Sequence, residues 1–374
     1  MKMPDKPIYI TSPLLPSLED LNRELKIIFS SKQLTNMGNY HNLLEQKLKD
    51  VLKLKGSLSL FNNGTIALMI ALKVLNLAQG SEVITTPWTF AATPHCIVWN
   101  NLKPVFCDIK RDSMCIDPSQ IEKHITKNTS AILGVHVYGF ACDVEKIETI
   151  AKKYNLKVIY DAAHAFSSEI DAIGIGNFGD ISMFSFHATK LFNTIEGGAL
   201  AYPDKNLERQ IYNFRNFGIR NEELVEEVGI NGKLNELQAA VGLLNLKLFE
   251  NEKQKRAKLK DFYDKTLSKI IGITIPKLAS NIKNSYQYYP IIIENNFWTS
   301  RNELYDILRK VNIFTRKYFY PLCSDYECYK NLPSANAENL PVANELKNKV
   351  LCIPFYGDLP ISIAEFICYK IAGN

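Results

Sequence analysis

Between Ser57 and Tyr202 short β-rich runs alternate with helical runs, and this alternation restricts the fold more than any other feature of the sequence. Ser59–Phe61 precedes a helix opening near Thr65, and Val83–Thr86 precedes one opening near Thr89. Pro104–Phe106, Ala131–Val137 and Val158–Tyr160 follow as further strands. Ile181–Phe186 and Ala199–Tyr202 close the series around a loop that contains Lys190. Strands separated by helical crossovers pair in parallel, because the chain must cross a sheet face to re-enter in the same direction. Ligand groups in such α/β sheets gather at the carboxyl ends of the strands, so the chemistry is expected just after them.

From Leu234 an amphipathic pattern (Leu234, Leu237, Val241, Leu244, Leu248) reads as a long helix connecting two domains, with the boundary near residue 250. At 374 residues the chain exceeds one ordinary core. The expected organisation is a large domain over 1–250, N-terminal segment included, with a mostly parallel sheet flanked by helices. A smaller α+β domain covers 251–374. In it Tyr286–Ile293 reads as a strand, Arg301–Val311 as a helix and Pro321–Pro360 as loops with short elements. The basic run Lys253, Lys255, Arg256, Lys258, Lys260 reads as a solvated helix face.

Composition narrows the function classes. Hydrophobic residues at 46% against 22% charged exclude a disordered chain. The net charge of +5, from 44 basic and 39 acidic residues spread along the chain, suits a small anionic substrate rather than nucleic acid. Eight cysteines without a Cys-x-x-Cys pair or a leader read as reduced thiols in the cytoplasm. Six histidines form no metal-ligand cluster, and no apolar run reaches the length of a membrane span, so neither a metal nor a membrane role is expected.

Four segments carry chemistry. Ser185-Phe186-His187-Ala188-Thr189-Lys190, followed by Glu196-Gly197-Gly198, puts a lysine between two apolar strands. Partial desolvation there favours the neutral amine, which can attack an aldehyde. In Val158-Ile159-Tyr160-Asp161-Ala162-Ala163-His164 a carboxylate follows a buried strand directly, placed either to cap a helix or to hold a ring nitrogen protonated. Phe61-Asn62-Asn63-Gly64-Thr65 ends a strand in a Gly-Thr turn whose backbone amides, with the Thr65 hydroxyl, form a phosphate cradle. Thr86-Pro87-Trp88-Thr89-Phe90-Ala91-Ala92-Thr93 sets two aromatics after another strand, either as core or as a ring-stacking surface.

In order and spacing these segments resemble the sugar-nucleotide aminotransferases of the DegT/StrS type, within the fold-type I pyridoxal-phosphate enzymes. The resemblance runs from Pro7 to the C-terminus and is densest between Asn62 and Leu246. It implies pyridoxal 5'-phosphate as cofactor, with Lys190 forming the Schiff base and shuttling protons. Asp161 would pair with the pyridine nitrogen, His164 would lie near the phenolic oxygen, and Phe90 would stack on the ring. Gly64, Thr65 and Ser185 would hold the phosphate. The segment from Gly229 to Ala240 is similar to one in which an asparagine, here Asn231, reaches the phosphate in the neighbouring subunit, implying a homodimer with shared active sites. This chain departs from the family there, with Gly232-Lys233-Leu234 in place of an aromatic or small residue.

The lysine segment, with Asn193-Thr194-Ile195-Glu196-Gly197-Gly198 and Asn216-Phe217-Gly218, is most similar to that of enzymes aminating C4 of dTDP-4-keto-6-deoxyglucose. L-Glutamate would be the donor, and the product dTDP-4-amino-4,6-dideoxyglucose would serve surface-glycan (O-antigen) synthesis. Enzymes acting at C3 more often carry Tyr-Pro where this chain has His187-Ala188. A C3 aminotransferase and an enzyme for a UDP-linked 4-ketosugar are the alternative readings. A sugar dehydrase of the same fold needs histidine at the lysine position, and a non-catalytic sensor would tolerate losing Asp161 or Lys190; both residues are present. Arg316-Lys317-Tyr318-Phe319-Tyr320-Pro321-Leu322 resembles the family's segment near the nucleotide.

Overall fold

A computed structural model describes residues 3–374. Its largest sheet has seven strands: β1 (Ser57–Phe61), β2 (Glu82–Thr85), β3 (Lys103–Phe106), β4 (Thr129–Val135), β5 (Lys157–Asp161), β6 (Ile181–Ser185) and β7 (Gly198–Tyr202). Their order is β1-β7-β6-β5-β4-β2-β3. Neighbours from β3 through β6 pair in parallel, whereas β7 is antiparallel to both β6 and β1. The exception has a local cause: β7 is reached from β6 by a loop, not by a helical crossover. Most strand residues are buried, as expected of a sheet covered on both faces.

Helices α1 (Leu18–Ser31) and α2 (Asn39–Val51) precede the sheet, α3 (Gly64–Val74), α4 (Ala92–Trp99) and α5 (Val144–Tyr154) lie within its connections, and α6 (Leu207–Arg215) follows its last strand. Helix α3 buries Ala67, Leu68, Ile70, Ala71, Leu72 and Val74, so it is enclosed on several faces. Helix α4 starts at Ala92, later than the pattern near Thr89 predicts. Pro87 has no amide to donate, the Thr86 hydroxyl accepts the Trp88 amide at 3.0 Å, and the Thr89 hydroxyl bonds that of Thr93 at 2.8 Å. These bonds hold 86–91 as a loop.

The 32-residue helix α7 (Glu236–Leu267) opens with a reciprocal cap between Asn235 and Gln238 and runs from one hydrophobic core into another. Residue 250 falls within it. Leu259, Tyr263 and Leu267 join the second core with an antiparallel sheet of β8 (Ile273–Thr274), β9 (Tyr289–Ile293) and β10 (Val350–Ile353). Helices α8 (Arg301–Lys310) and α9 (Ile361–Ile371) complete it. The intervening chain returns to the first core, where Phe319, Leu322, Cys323, Tyr329 and Leu340 are buried. At the other end Ile8–Tyr9 pairs in parallel with Ile313–Phe314. Among the described residues the cysteines are free, no His/Cys/Asp/Glu group is arranged to hold a metal, and no helix is long and apolar enough to cross a membrane.

The basic run on α7 is only in part the solvated face that its charge predicts: Lys255 and Lys258 are exposed, but two members turn inward. Arg256 is completely buried and Lys253 nearly so. Helical spacing puts Glu252, Arg256, Leu259 and Tyr263 on one stripe, which faces inward. The Arg256 Nε donates to Glu252 at 2.6 Å and Nη1 donates to the Tyr286 carbonyl at 3.2 Å, while Lys253 donates to the Ser167 hydroxyl at 2.8 Å. Glu252 also accepts the Gly357 amide at 2.9 Å. Removing one partner of such a pair leaves a buried charge uncompensated. Glu252→Ala is therefore expected to cost about 3–5 kcal/mol in urea unfolding, whereas Lys255→Ala, which breaks the exposed pair with Asp358, should hardly move the midpoint. Equal effects would mean that Arg256 keeps its charge solvated.

Candidate active site

A cavity of about 660 Å³ opens at the carboxyl ends of β5 and β6, and seven of the eight residues singled out from the sequence line it: Gly64, Thr65, Phe90, Asp161, His164, Ser185 and Lys190. Asn231 does not line it. That residue is exposed, its carbonyl accepting from the Asn62 side chain at 3.4 Å.

Lys190 sits on the loop between β6 and β7, which is clasped from the C-terminal half of the chain. Gln287 accepts the Leu191 amide at 2.7 Å and donates to the Thr189 carbonyl at 3.1 Å. The lysine is half-buried, with its Nζ 5.9 Å from the centre of the Tyr288 ring. Burial pulls its pKa down to about 8, with the charge of Asp161 opposing. A useful fraction of neutral amine is therefore present near neutral pH.

Asp161 ends β5 and is buried. One oxygen accepts the Thr93 hydroxyl at 2.8 Å and the other the Ala163 amide at 3.0 Å. No helix follows, so the cap alternative is not realised; the carboxylate instead braces the turn after the strand. Burial pushes its pKa up despite these two bonds and the charge of Lys190. The ionised form is thus under-compensated by its own chain, and a cationic N–H in the cavity would relieve it.

His164 stands three residues on. Its Nδ1 accepts the Tyr138 amide at 3.1 Å, and the Ser285 hydroxyl donates to its carbonyl at 2.7 Å. The ring lies edge-on to Tyr288, centroids 4.9 Å apart, and near-parallel to Phe319. Burial, then the nearby Lys190 charge, hold its pKa well below the usual histidine range, so the ring is neutral.

The turn between β1 and α3 depends on close backbone approach. The sheet register sets Gly198 opposite both Phe61 and Ser185. A Cβ on Gly198 would fall 2.7 Å from the Gly64 nitrogen, and one on Gly64 would fall 3.0 Å from the Ser185 Cβ. Asn63 caps α3 by accepting the Ile66 amide at 2.8 Å. The amides of Gly64 and Thr65, at the first two helical positions, have no acceptor within the helix, and with the Thr65 and Ser185 hydroxyls they form a donor set for an oxyanion. Of the two aromatics after β2, Trp88 is core, donating its indole N–H to Tyr138, whereas Phe90 is 64% exposed on the cavity wall.

Sequence reasoning assigned no individual role to several lining residues. His187, Thr189, Glu196, Tyr288, Arg316, Tyr318 and Phe319 also face the cavity. His187 and Glu196 lay within quoted motifs, and their side chains approach to 3.5 Å. The Thr93 hydroxyl, which holds Asp161, was legible as the last residue of the Thr-Phe-x-Ala-Thr segment. Arg316, Tyr318 and Phe319 lay in the segment whose resemblance put it near the nucleotide, whereas Tyr288 had no local signal, since the fold brings it back from the C-terminal half.

A model of the DegT/DnrJ/EryC1/StrS aminotransferase family matches residues 17–371. The chain is 44% identical over 367 residues to a dTDP-4-amino-4,6-dideoxy-D-glucose transaminase of Shigella dysenteriae, covering 98% of this chain and 99% of the relative. It is 45% identical over 375 residues to an Escherichia coli transaminase of the same name, covering 100% of both. Among solved structures it is similar to DesI in the presence of its TDP-sugar product, with a TM-score of 0.92 and 29% identity over 100% of this chain and 95% of that one.

The depressed lysine pKa has a sign that can be tested. Because Lys190 titrates at about 8 when folded and near 10.5 otherwise, burying its ammonium costs stability in full below about pH 8, and the cost fades as pH rises toward 10.5. Lys190→Met is expected to stabilise the ligand-free protein at pH 7 by roughly 1–3 kcal/mol, with the advantage shrinking steadily between pH 8 and 10. Urea unfolding across that range reads it. A pH-independent difference would mean that the amine is solvated.

Proposed function

The chain belongs to the DegT/DnrJ/EryC1/StrS aminotransferase family, and from that premise we propose that it moves the amino group of L-glutamate to the C4 ketone of dTDP-4-keto-6-deoxyglucose. The product is dTDP-4-amino-4,6-dideoxyglucose, a precursor for surface glycans. The observation that carries the chemistry is a lysine of pKa about 8 sharing one cavity with a buried, under-compensated carboxylate. The substrate rests on whole-length identity to two transaminases named for that aminosugar.

We infer pyridoxal 5'-phosphate as the cofactor, and the residues present fit it. Gly64, Thr65 and Ser185 would hold the phosphate in a cradle that a side chain at residue 198 would fill. Asp161 would take the protonated ring nitrogen, His164 the phenolic oxygen, and Phe90 a ring face. When bound, the cofactor supplies an electron sink for the carbon that loses its proton. Lys190, readily neutral in its desolvated setting, takes that proton and returns it at the sugar carbon, so its side of the cavity sets the configuration. Asp161 keeps its negative charge against the ring, and the aromatic wall of Tyr288, Tyr318 and Phe319 limits water.

Incubation with L-glutamate and dTDP-4-keto-6-deoxyglucose, its 3-keto isomer or a UDP-linked 4-ketosugar, followed by NMR of the products, tests the assignment. Amination at C4 of the first compound is expected. Turnover of only the 3-keto isomer or the UDP sugar would replace the substrate and leave the family unchanged.

The site is also proposed to be completed in a homodimer, with Asn231 reaching the neighbour's phosphate. Asn231 is exposed and outside its own cavity lining, in a segment that also exposes Phe217, Val225, Val228 and Ile230, an apolar surface of the kind that marks an interface. Refolding a mixture of inactive Lys190→Ala and Asn231→Ala chains should restore activity, approaching about a quarter of wild type for random pairing of two independent sites. Each heterodimer then holds one intact site. No recovery, given verified heterodimers, would place Asn231 in its own chain's site.

A further inference from the structure

Tyr138 is fully buried, does not line the cavity, and touches both of its sides. It lies in the short turn Val137–Gly139 after β4 with φ +56°, and the next residue, Gly139, has φ +96°. A bulky side chain persists in the left-handed region only where its surroundings over-determine it. Here three bonds do so. The Tyr138 amide donates to His164 Nδ1 at 3.1 Å, its hydroxyl donates to the Tyr318 carbonyl at 2.6 Å, and that hydroxyl accepts the Trp88 indole N–H at 2.9 Å. The ring lies within 12° of parallel to His164 and within 8° of Phe319.

Two consequences follow from the chemistry of these groups. An imidazole nitrogen that accepts an N–H carries no proton, so neutral His164 is protonated on Nε2, the nitrogen left for the cavity. The Tyr318 carbonyl, in turn, ties the C-terminal segment that forms one cavity wall to a residue anchored behind the other. We propose that Tyr138 is a positioning residue: its amide fixes His164 as an Nε2–H donor, and its hydroxyl fixes the Tyr318–Phe319 wall against which the sugar nucleotide is held. The part concerning substrate rests on the function proposed above; the part concerning geometry does not.

The test uses the full chain. In ligand-free protein carrying 15N-histidine, His164 is expected as the Nε2–H tautomer, and an Nδ1–H ring would overturn the first half of the proposal. Tyr138→Phe keeps the amide and the ring and deletes only the hydroxyl. Its amides over residues 316–320 are expected to exchange about 3- to 10-fold faster than in wild type, the equivalent of one neutral hydrogen bond, with the rest of the first core unchanged. In turnover, KM for the ketosugar should rise by a similar factor of about 3 to 10 while kcat stays within about twofold. Trp88→Phe breaks the neighbouring bond and loosens the same core but leaves the Tyr138–Tyr318 bond, so exchange over 316–320 should stay as in wild type. Unchanged exchange in Tyr138→Phe, or the same local rise in Trp88→Phe, would reduce Tyr138 to ordinary packing. If wild type failed to turn over the ketosugar, the proposed function would fall, while exchange and tautomer would still decide the role of Tyr138.

Discussion

The site depends on withdrawing two opposite charges from water without letting them neutralise each other. Burial raises the pKa of Asp161 and lowers that of Lys190, and each charge only partly offsets the cost to the other. The scaffold then holds both in place by bonds that leave their chemistry free. Thr93 and Ala163 occupy one lone-pair direction on each oxygen of Asp161, and Gln287 clasps the backbone beside Lys190 while its amine stays unbonded in the cavity. A tighter pair would stabilise both charges and leave a protonated lysine with no use as a base.

Strand direction supplies the rest of the placement. Asp161 and Ser185 end neighbouring parallel strands, so both side chains reach the same edge of the sheet. The antiparallel β7 brings Gly198 back to that edge, between the end of β1 and the end of β6, and there the absence of a side chain lets α3 start against Ser185. The second glycine of the pair after the lysine segment, Gly198, is thus a steric requirement of the turn that opens α3.

Much of this was legible in the sequence because it is local. Alternating runs identify the strands, and a residue just after a strand is at the ligand edge whatever the distant fold does. That argument found the segments that hold Gly64, Thr65, Asp161 and Lys190, and the family resemblance then singled out Phe90, His164 and Ser185 within them. It failed where position depends on a distant partner: Tyr288 reaches the cavity only because the chain entering β9 packs against the first core, and Phe319, reached through the chain after α8, was signalled by resemblance and not by its place after a strand. It failed differently on α7, where Arg256 was read by charge. The helical period, applied to Glu252, Arg256, Leu259 and Tyr263 together, would have put that arginine on the buried stripe.

That arginine also joins the second core to the chemistry. Arg256 is bound to Glu252 one turn earlier and donates to the carbonyl of Tyr286. Residues 287 and 288, immediately after, are the ones that clasp the Lys190 loop and face its amine. Glu252 in turn accepts the amide of Gly357, where a side chain would collide with the carboxylate at 2.1 Å. A single buried ion pair therefore holds the helix spanning both cores, the strand entry at Tyr286 and the chain after β10. As an isolated stabilising element such a pair is a poor choice, since apolar residues of similar volume often do as well. Its directional bonds, however, set where residues 286–288 lie relative to α7, and through them the position of the loop carrying Lys190. Apolar packing alone would leave that register free to slide by fractions of an ångström, a displacement that matters little to a core and much to a proton transfer.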